Sequence, residues 1–420
     1  MAIGQSNDLV SDQAAFDALC GVWREAGRFA FDTEFIRDDT YDAILCVVQV
    51  TTGDSVTLVD PTEGLDLAPF WELVTDPGIQ TIVHAGKEDF EVCLTACGEP
   101  PRNVFDVQIA AGFLGYGYPL NLVRLVDQVV GRKISKGQTL TDWLRRPLTA
   151  QQFKYAVDDV LYLPDICGRL ERDLVAKERI AWAREEFARF EDPATYQPAA
   201  RDRLAKLKGA SKLDGLGLLV LERLVEWRDG WAKKQNRPVR AMMRDDVMVE
   251  IAKQRPSEGS DLQVMRGFHQ SRHKPTVDDI LNVIRQAQAV PRSDWPKPRK
   301  RPERSPMFKA TVDLLSAYTR AACHDQGVSS DLFGSAQRLR EMMDYLENGT
   351  ADRPVLLNGW REDFIGRRLV DLLNGRTELY LSGGPDAPRL EVGDRADGDD
   401  GSSSKQQPSP SHETMNDERT

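Results

Sequence analysis

Three short segments carry the acids and the phenol that could do chemistry. Phe31-Asp32-Thr33-Glu34-Phe35 sets two carboxylates two residues apart in a strand-like run, so both point to one face. Like charges at that range raise each other's pKa unless a cation lies between them, and a divalent metal is the economical explanation. The competing reading is solvated surface at a strand end. His84-Ala85-Gly86-Lys87-Glu88-Asp89-Phe90 puts Asp89 where a buried strand turns into a helix. A first-turn carboxylate there is favoured by the helix dipole with no further role. Tyr155-Ala156-Val157-Asp158-Asp159 spaces a phenol and an acid four residues apart on one helix face, as a plain side-chain hydrogen bond also requires, while Asp158 turns away.

These segments need a scaffold, and the first two hundred residues supply an α/β alternation. Phe16, Leu19, Cys20 and Trp23 recur at helical spacing after Ser11, which predicts a capped helix through about Ala26. Strands are predicted at Arg28 to Phe35, Ile44 to Thr51 and Ser55 to Asp60, the last two joined by a Thr52-Gly53-Asp54 turn. A helix near Pro69 to Thr75, a buried strand at Thr81 to His84 and a helix from Lys87 to Cys97 follow, and from Ala150 the pattern is helical.

Taken together, the three segments resemble the DEDDy superfamily of 3′→5′ exonucleases. The resemblance narrows to ribonuclease D through His84-Ala85-Gly86-Lys87-Glu88-Asp89, Phe105-Asp106-Val107-Gln108, Lys136-Gly137-Gln138-Thr139-Leu140-Thr141-Asp142-Trp143 and Arg146-Pro147-Leu148. It implies that Asp32, Glu34, Asp89 and Asp159 are ligands of a divalent metal, Mg²⁺ or Mn²⁺ and two ions in all. It makes Tyr155 the group that orients the attacking water. None of the five histidines sits just before Asp159, which disfavours the histidine variant of the superfamily. Hard oxygen donors without His or Cys suit these ions better than zinc. Lys136 is a candidate for a substrate phosphate and Trp143 for stacking on a base, although Trp143 serves equally as core. Asp106, among Val104, Phe105 and Val107, reads as a structural hydrogen-bonding residue.

The implied fold is an α/β exonuclease domain, a ribonuclease H-like mixed sheet flanked by helices, over residues 1–200. Two all-α HRDC-like domains are expected at 201–291 and 307–382, HRDC being the small nucleic-acid-binding helical module of ribonuclease D and RecQ-type helicases. Leu221 to Trp231, Pro238, Asp245 to Ala252 and Pro256 carry that second resemblance; order along the chain carries the third domain. Between them, residues 292–306 read as a basic Pro-rich linker, and 383–420 as a disordered acidic tail. Arg228, Lys233, Lys234, Arg237, Arg240 and Arg244, with Arg292, Lys297, Arg299, Lys300, Arg301 and Arg304 of the linker, offer basic groups for RNA backbone or simply a solvated surface.

Bulk composition sets the outer limits. At 420 residues the chain needs more than one core, and a net charge of −11 argues against coating nucleic acid by bulk electrostatics. Six scattered cysteines form no zinc spacing and read as reduced thiols. No basic, apolar leader opens the sequence and no run approaches a membrane span, so a cytoplasmic protein, expected to be a monomer, is predicted. The absence of a GxxxxGK[ST] loop removes fused helicase or polymerase functions. The leading expectation is trimming of the 3′ ends of structured RNA, such as tRNA precursors, to nucleoside 5′-monophosphates. A DNA 3′→5′ exonuclease and an RNA-binding scaffold without catalysis remain open beside it.

Overall fold

The computed structural model describes residues 9–134, 141–196, 203–204, 206–268, 277–298, 304–349 and 352–394. Its centre is a five-stranded mixed sheet in the order β3-β2-β1-β4-β5. The strands are β1 (Arg28–Ile36), β2 (Ile44–Thr51), β3 (Val56–Val59), β4 (Gln80–Val83) and β5 (Val104–Asp106). β1 pairs antiparallel with β2 and parallel with β4, so it lies at the middle of the sheet with both edges covered. The pleat of β1 sorts its residues. Phe29 and Phe31 point into an aromatic core with Trp23, Phe70 and Phe90, and the alternating Asp32 and Glu34 go to the other face. A register shift at Glu34/Phe35 bends the strand just beyond the second acid.

Helices close the sheet on both faces. α1 (Gln13–Ala26) is capped by Asp12, whose side chain accepts from the Ala15 amide, and not by Ser11 as expected; both are capping residues, and the aspartate stands one residue nearer the helix. α2 (Ala68–Val74) and α3 (Lys87–Cys97) follow, then α4 (Val107–Phe113) and α5 (Leu122–Val130). α6 (Ala150–Leu161), carrying Tyr155 and Asp159, contacts β1, β2 and β3. α7 (Leu163–Ala176) and α8 (Ile180–Phe187) complete the first unit. β5 was not predicted: three residues are too few for a period to register.

The second unit comprises helices Gly215–Lys234, Asp245–Gln254, Gly259–Gln263 and Val277–Gln288 around a separate core that includes Val220, Leu224, Met248, Ile251 and Ile280. Trp295 packs on this core, and its indole donates to the Val290 carbonyl at 2.9 Å. The unit thus extends past Pro291 into the stretch read as linker, because one large ring outweighs its Pro-rich surroundings.

The third unit differs from the expectation in two ways. Helices Pro306–Gln326 and Ala336–Asn348 and the elements up to Leu373 have a core continuous with that of the first unit. Val312, Phe333, Trp360 and Leu369 belong to the same apolar cluster as Phe29 and Ile82 of the sheet. Trp360 meets Phe113 at 4.8 Å and stacks on Trp182 at 5.8 Å. Glu186 of α8, 8% exposed, accepts from the Trp360 indole at 2.8 Å and pairs with Arg361. The unit is also not all-α: β6 (Thr377–Ser382) pairs antiparallel with β7 (Arg389–Asp394). β7 lies inside the stretch expected to be disordered. Its short alternation, Leu390 and Val392 packing on the main core, is hidden in a composition dominated by Gly, Asp and Ser. Among the described residues no helix is long and apolar enough to cross a membrane.

Candidate active site

The site forms where the far end of β1, the first turn of α3 and the inner face of α6 meet. One carboxylate oxygen from each of Asp32, Glu34 and Asp159 can be chosen so that the three lie within 4.8 Å of one another. The strand supplies the first two by its alternation, and the helix supplies Asp159. Asp89 stands beside this trio, 7% exposed, and its carboxylate accepts a hydrogen bond from the Thr33 hydroxyl. Its charge still reaches Asp32, Glu34 and Asp159. Tyr155, one turn before Asp159, holds its hydroxyl close enough to that carboxylate to favour its ionised form.

Four acids so crowded resist ionisation. Burial, then the charges of Asp89, Asp159 and Glu34, hold Asp32 well above the ordinary carboxylate range. Burial and the neighbouring Asp159 and Asp89 push Glu34 up to about 8. Burial raises Asp159 to about 7 against the opposing Tyr155 hydrogen bond, and raises Asp89 to about 6 against the Thr33 hydrogen bond. Tyr155 is raised by burial and by the acids around it, so its phenol stays protonated at neutral pH.

The donor set fits hard divalent cations. It offers only carboxylate oxygens, and Oδ2 of Asp159 is buried with no hydrogen-bond partner, which is costly unless a cation or water meets it. A cation there also removes the mutual repulsion that raises the acids.

The surroundings fix the helices that deliver these groups. Asp106, 1% exposed, caps α4 by accepting from Gln108 N at 2.8 Å and Ile109 N at 3.2 Å, and also accepts from Gly86 N at 3.3 Å at the start of α3. The structural role read for it is the one it has. α6 opens with a reciprocal capping box between Thr149 and Gln152.

Other candidates fare differently. Lys136 lies outside the described residues. Trp143 is 6% exposed and packs against the Tyr155 ring at 6.0 Å, leaving no face for a base, so its stacking role gives way to the core one. Arg228 is buried in an ion pair with Asp245, Arg244 pairs with Asp246, and Arg304 pairs with Asp344 while lying over Phe308. These arginines already have acidic partners nearby, which helical spacing alone does not reveal. Sequence reasoning also missed Thr33, whose signal was its place between the two acids on the opposite side of the pleat.

Known proteins resemble this chain along most of its length. A family model described as 3′-5′ exonuclease matches residues 7–175, and an HRDC domain model matches 218–284. Ribonuclease D of Granulibacter bethesdensis is 33% identical over 384 residues, spanning 90% of this chain and 95% of the relative. Ribonuclease D of Bartonella henselae is 28% identical over 379 residues, 90% of this chain and 92% of the relative. The crystal structure of Escherichia coli RNase D, described as an exoribonuclease involved in structured RNA processing, superposes with a TM-score of 0.78 at 26% identity, covering 89% of this chain and 99% of that one.

Proposed function

This chain belongs to the ribonuclease D family and is a 3′→5′ exoribonuclease, and from that premise we propose that it trims the 3′ ends of structured RNA, such as tRNA precursors, through Asp32, Glu34, Asp89, Tyr155 and Asp159. A DEDD-type exonuclease domain of this kind uses divalent metal. In our reading the four acids hold two ions, Mg²⁺ or Mn²⁺, as a carboxylate-only site favours. When bound, such ions supply Lewis-acid stabilisation of the entering and leaving oxygens at phosphorus.

The chain's own residues do the rest. Asp32 and Glu34, on the rigid central strand, fix where positive charge sits, and Asp159 adds an oxygen left free of hydrogen bonds. Tyr155 keeps its proton, so it orients a water by hydrogen bonding and does not deprotonate it. The helical units supply a surface for the folded part of the RNA while a single-stranded 3′ tail enters the acidic site. A cytoplasmic location suits such a substrate.

The observation that carries this reading is the convergence of Asp32, Glu34 and Asp159 around a buried, unpartnered carboxylate oxygen. Matched 5′-labelled RNA and DNA oligonucleotides, incubated with Mg²⁺, Mn²⁺ or EDTA, test it. The expected result is a ladder shortening from the 3′ end of RNA, supported by either ion and abolished by EDTA. Equal cleavage of DNA would move the substrate assignment to both polymers, and cleavage in EDTA would overturn the metal site.

A further inference from the structure

Between β3 and α6 lies a half-buried ion pair that no step above uses. Asp60, its side chain 4% exposed, directly follows β3, and Arg146 stands in the segment that leads into α6. Arg146 donates through Nε to Asp60 Oδ2 and through Nη2 to Asp60 Oδ1 at 2.7 Å, a two-pronged match that only a guanidinium makes. Nη2 also reaches the Cys46 carbonyl of β2 at 2.8 Å. Nη1 holds the Trp143 carbonyl at 2.7 Å. Thr62 fills the remaining capacity of Asp60 from its amide at 3.0 Å and its hydroxyl at 2.6 Å.

The neighbouring carbonyl is held from the other side, where Gln152 Nε2 of α6 donates to Asp142 O at 3.1 Å. Two successive carbonyls are therefore pegged, one to the sheet and one to the helix. The ring between them, Trp143, lies against Tyr155 at 6.0 Å and 42°. Tyr155 shares one face of α6 with Asp159, so a displacement of the phenol alters its approach to that carboxylate and the placement of anything it orients.

We propose that Asp60 and Arg146 are positioning residues for the hydrolytic step, acting through Trp143 on the Tyr155 phenol. This rests on the reading that Tyr155 takes part in that step. A clasp of purely structural purpose would lower stability without caring whether residue 155 carries a hydroxyl, and that difference is measurable.

The test is a double-mutant cycle. Arg146→Lys and the milder Asp60→Asn are each made alone and together with Tyr155→Phe. Cleavage of a 5′-labelled RNA is followed well below the lowest melting midpoint of the set. In the parent background each clasp variant should lower kcat about tenfold with KM changed less than about twofold, the pattern of misplacement within the bound complex. In the Tyr155→Phe background the same changes should cost less than about twofold, because the group they act through is already gone. Equal losses in both backgrounds, or no loss in either, overturn the clasp while leaving Tyr155 its role. Full activity of Tyr155→Phe alone overturns both. If Arg146→Lys fails to fold, Asp60→Asn decides by the same comparison.

Discussion

The Thr33 hydroxyl hydrogen-bonds the Asp89 carboxylate, tying the strand that carries two acids to the helix that carries a third. The bond favours the ionised form of Asp89 against burial. Thr33→Val preserves shape and removes the donor, so Asp89 becomes harder to ionise. The Mg²⁺ concentration for half-maximal cleavage at pH 7 should rise roughly 10-fold, within the range seen when a partner of a metal ligand is lost. A titration indistinguishable from the parent would remove Thr33 from the site.

Asp32→Asn should cut cleavage by more than about 100-fold, beyond what losing a mere neighbour of a ligand costs. The same change should stabilise the metal-free protein at pH 8, since it deletes a buried acid held above its ordinary range by burial and by Asp89, Asp159 and Glu34. Thermal melts in EDTA read the sign: a higher midpoint at pH 8 and little of that gain below about pH 3, where the parent carboxyl is mostly protonated in both folded and unfolded states.

Metal stabilisation should grow with pH. Asp89 at about 6, Asp159 at about 7 and Glu34 at about 8 lie above the roughly 4 of free carboxylates. Over that interval the folded, metal-free protein holds more protons than the unfolded chain, so its stability falls as pH rises from about 4 to about 8. Cations remove the repulsion and displace the protons. The rise in melting temperature on adding Mn²⁺ should therefore be small at pH 5 and largest near pH 8, with proton release detectable by calorimetry in buffers of different ionisation enthalpy.

Tyr155→Phe should lose about 100-fold in kcat, the scale of a misplaced reactant, with little change in the melting shift produced by Mn²⁺. A parallel loss of that shift would make Tyr155 a support for Asp159 and not a group that orients water.

Glu186→Gln should destabilise the fold by roughly 3–5 kcal/mol, as breaking a buried pair does, because it leaves Arg361 with an uncompensated charge. Burial alone would raise the Glu186 carboxyl, but Arg361 and Trp360 outweigh it and hold it below the ordinary range. Its contribution is thus present at neutral pH and fades as pH falls through the acid range. Denaturant midpoints of the two proteins should converge at low pH.

Spacing placed Asp32 and Glu34 on one face of a strand and Tyr155 and Asp159 on one face of a helix, but each segment alone had an ordinary structural reading, and only the resemblance the three carry together joined them into one site. Ile44–Thr51 and Lys87–Cys97 were equally plain, since apolar periodicity and flanking turns fix such elements locally. What stayed hidden was tertiary. Asp60 and Arg146 stand 86 residues apart and nothing near either names the other. Trp143 reads the same whether it faces a base or Tyr155. Helical spacing in Pro306–Gln326 announces an apolar face without saying which surface covers it, and so the continuity of its core with the first unit was not visible.

That shared core bears on how the enzyme is made. The sheet is synthesised before Trp360, so the apolar flank of α4 and α8 that this ring covers stays open until that later part of the chain emerges. A chain truncated before Trp360 would leave Phe113 and Trp182 without the ring that covers them, apolar surface of the kind that drives self-association.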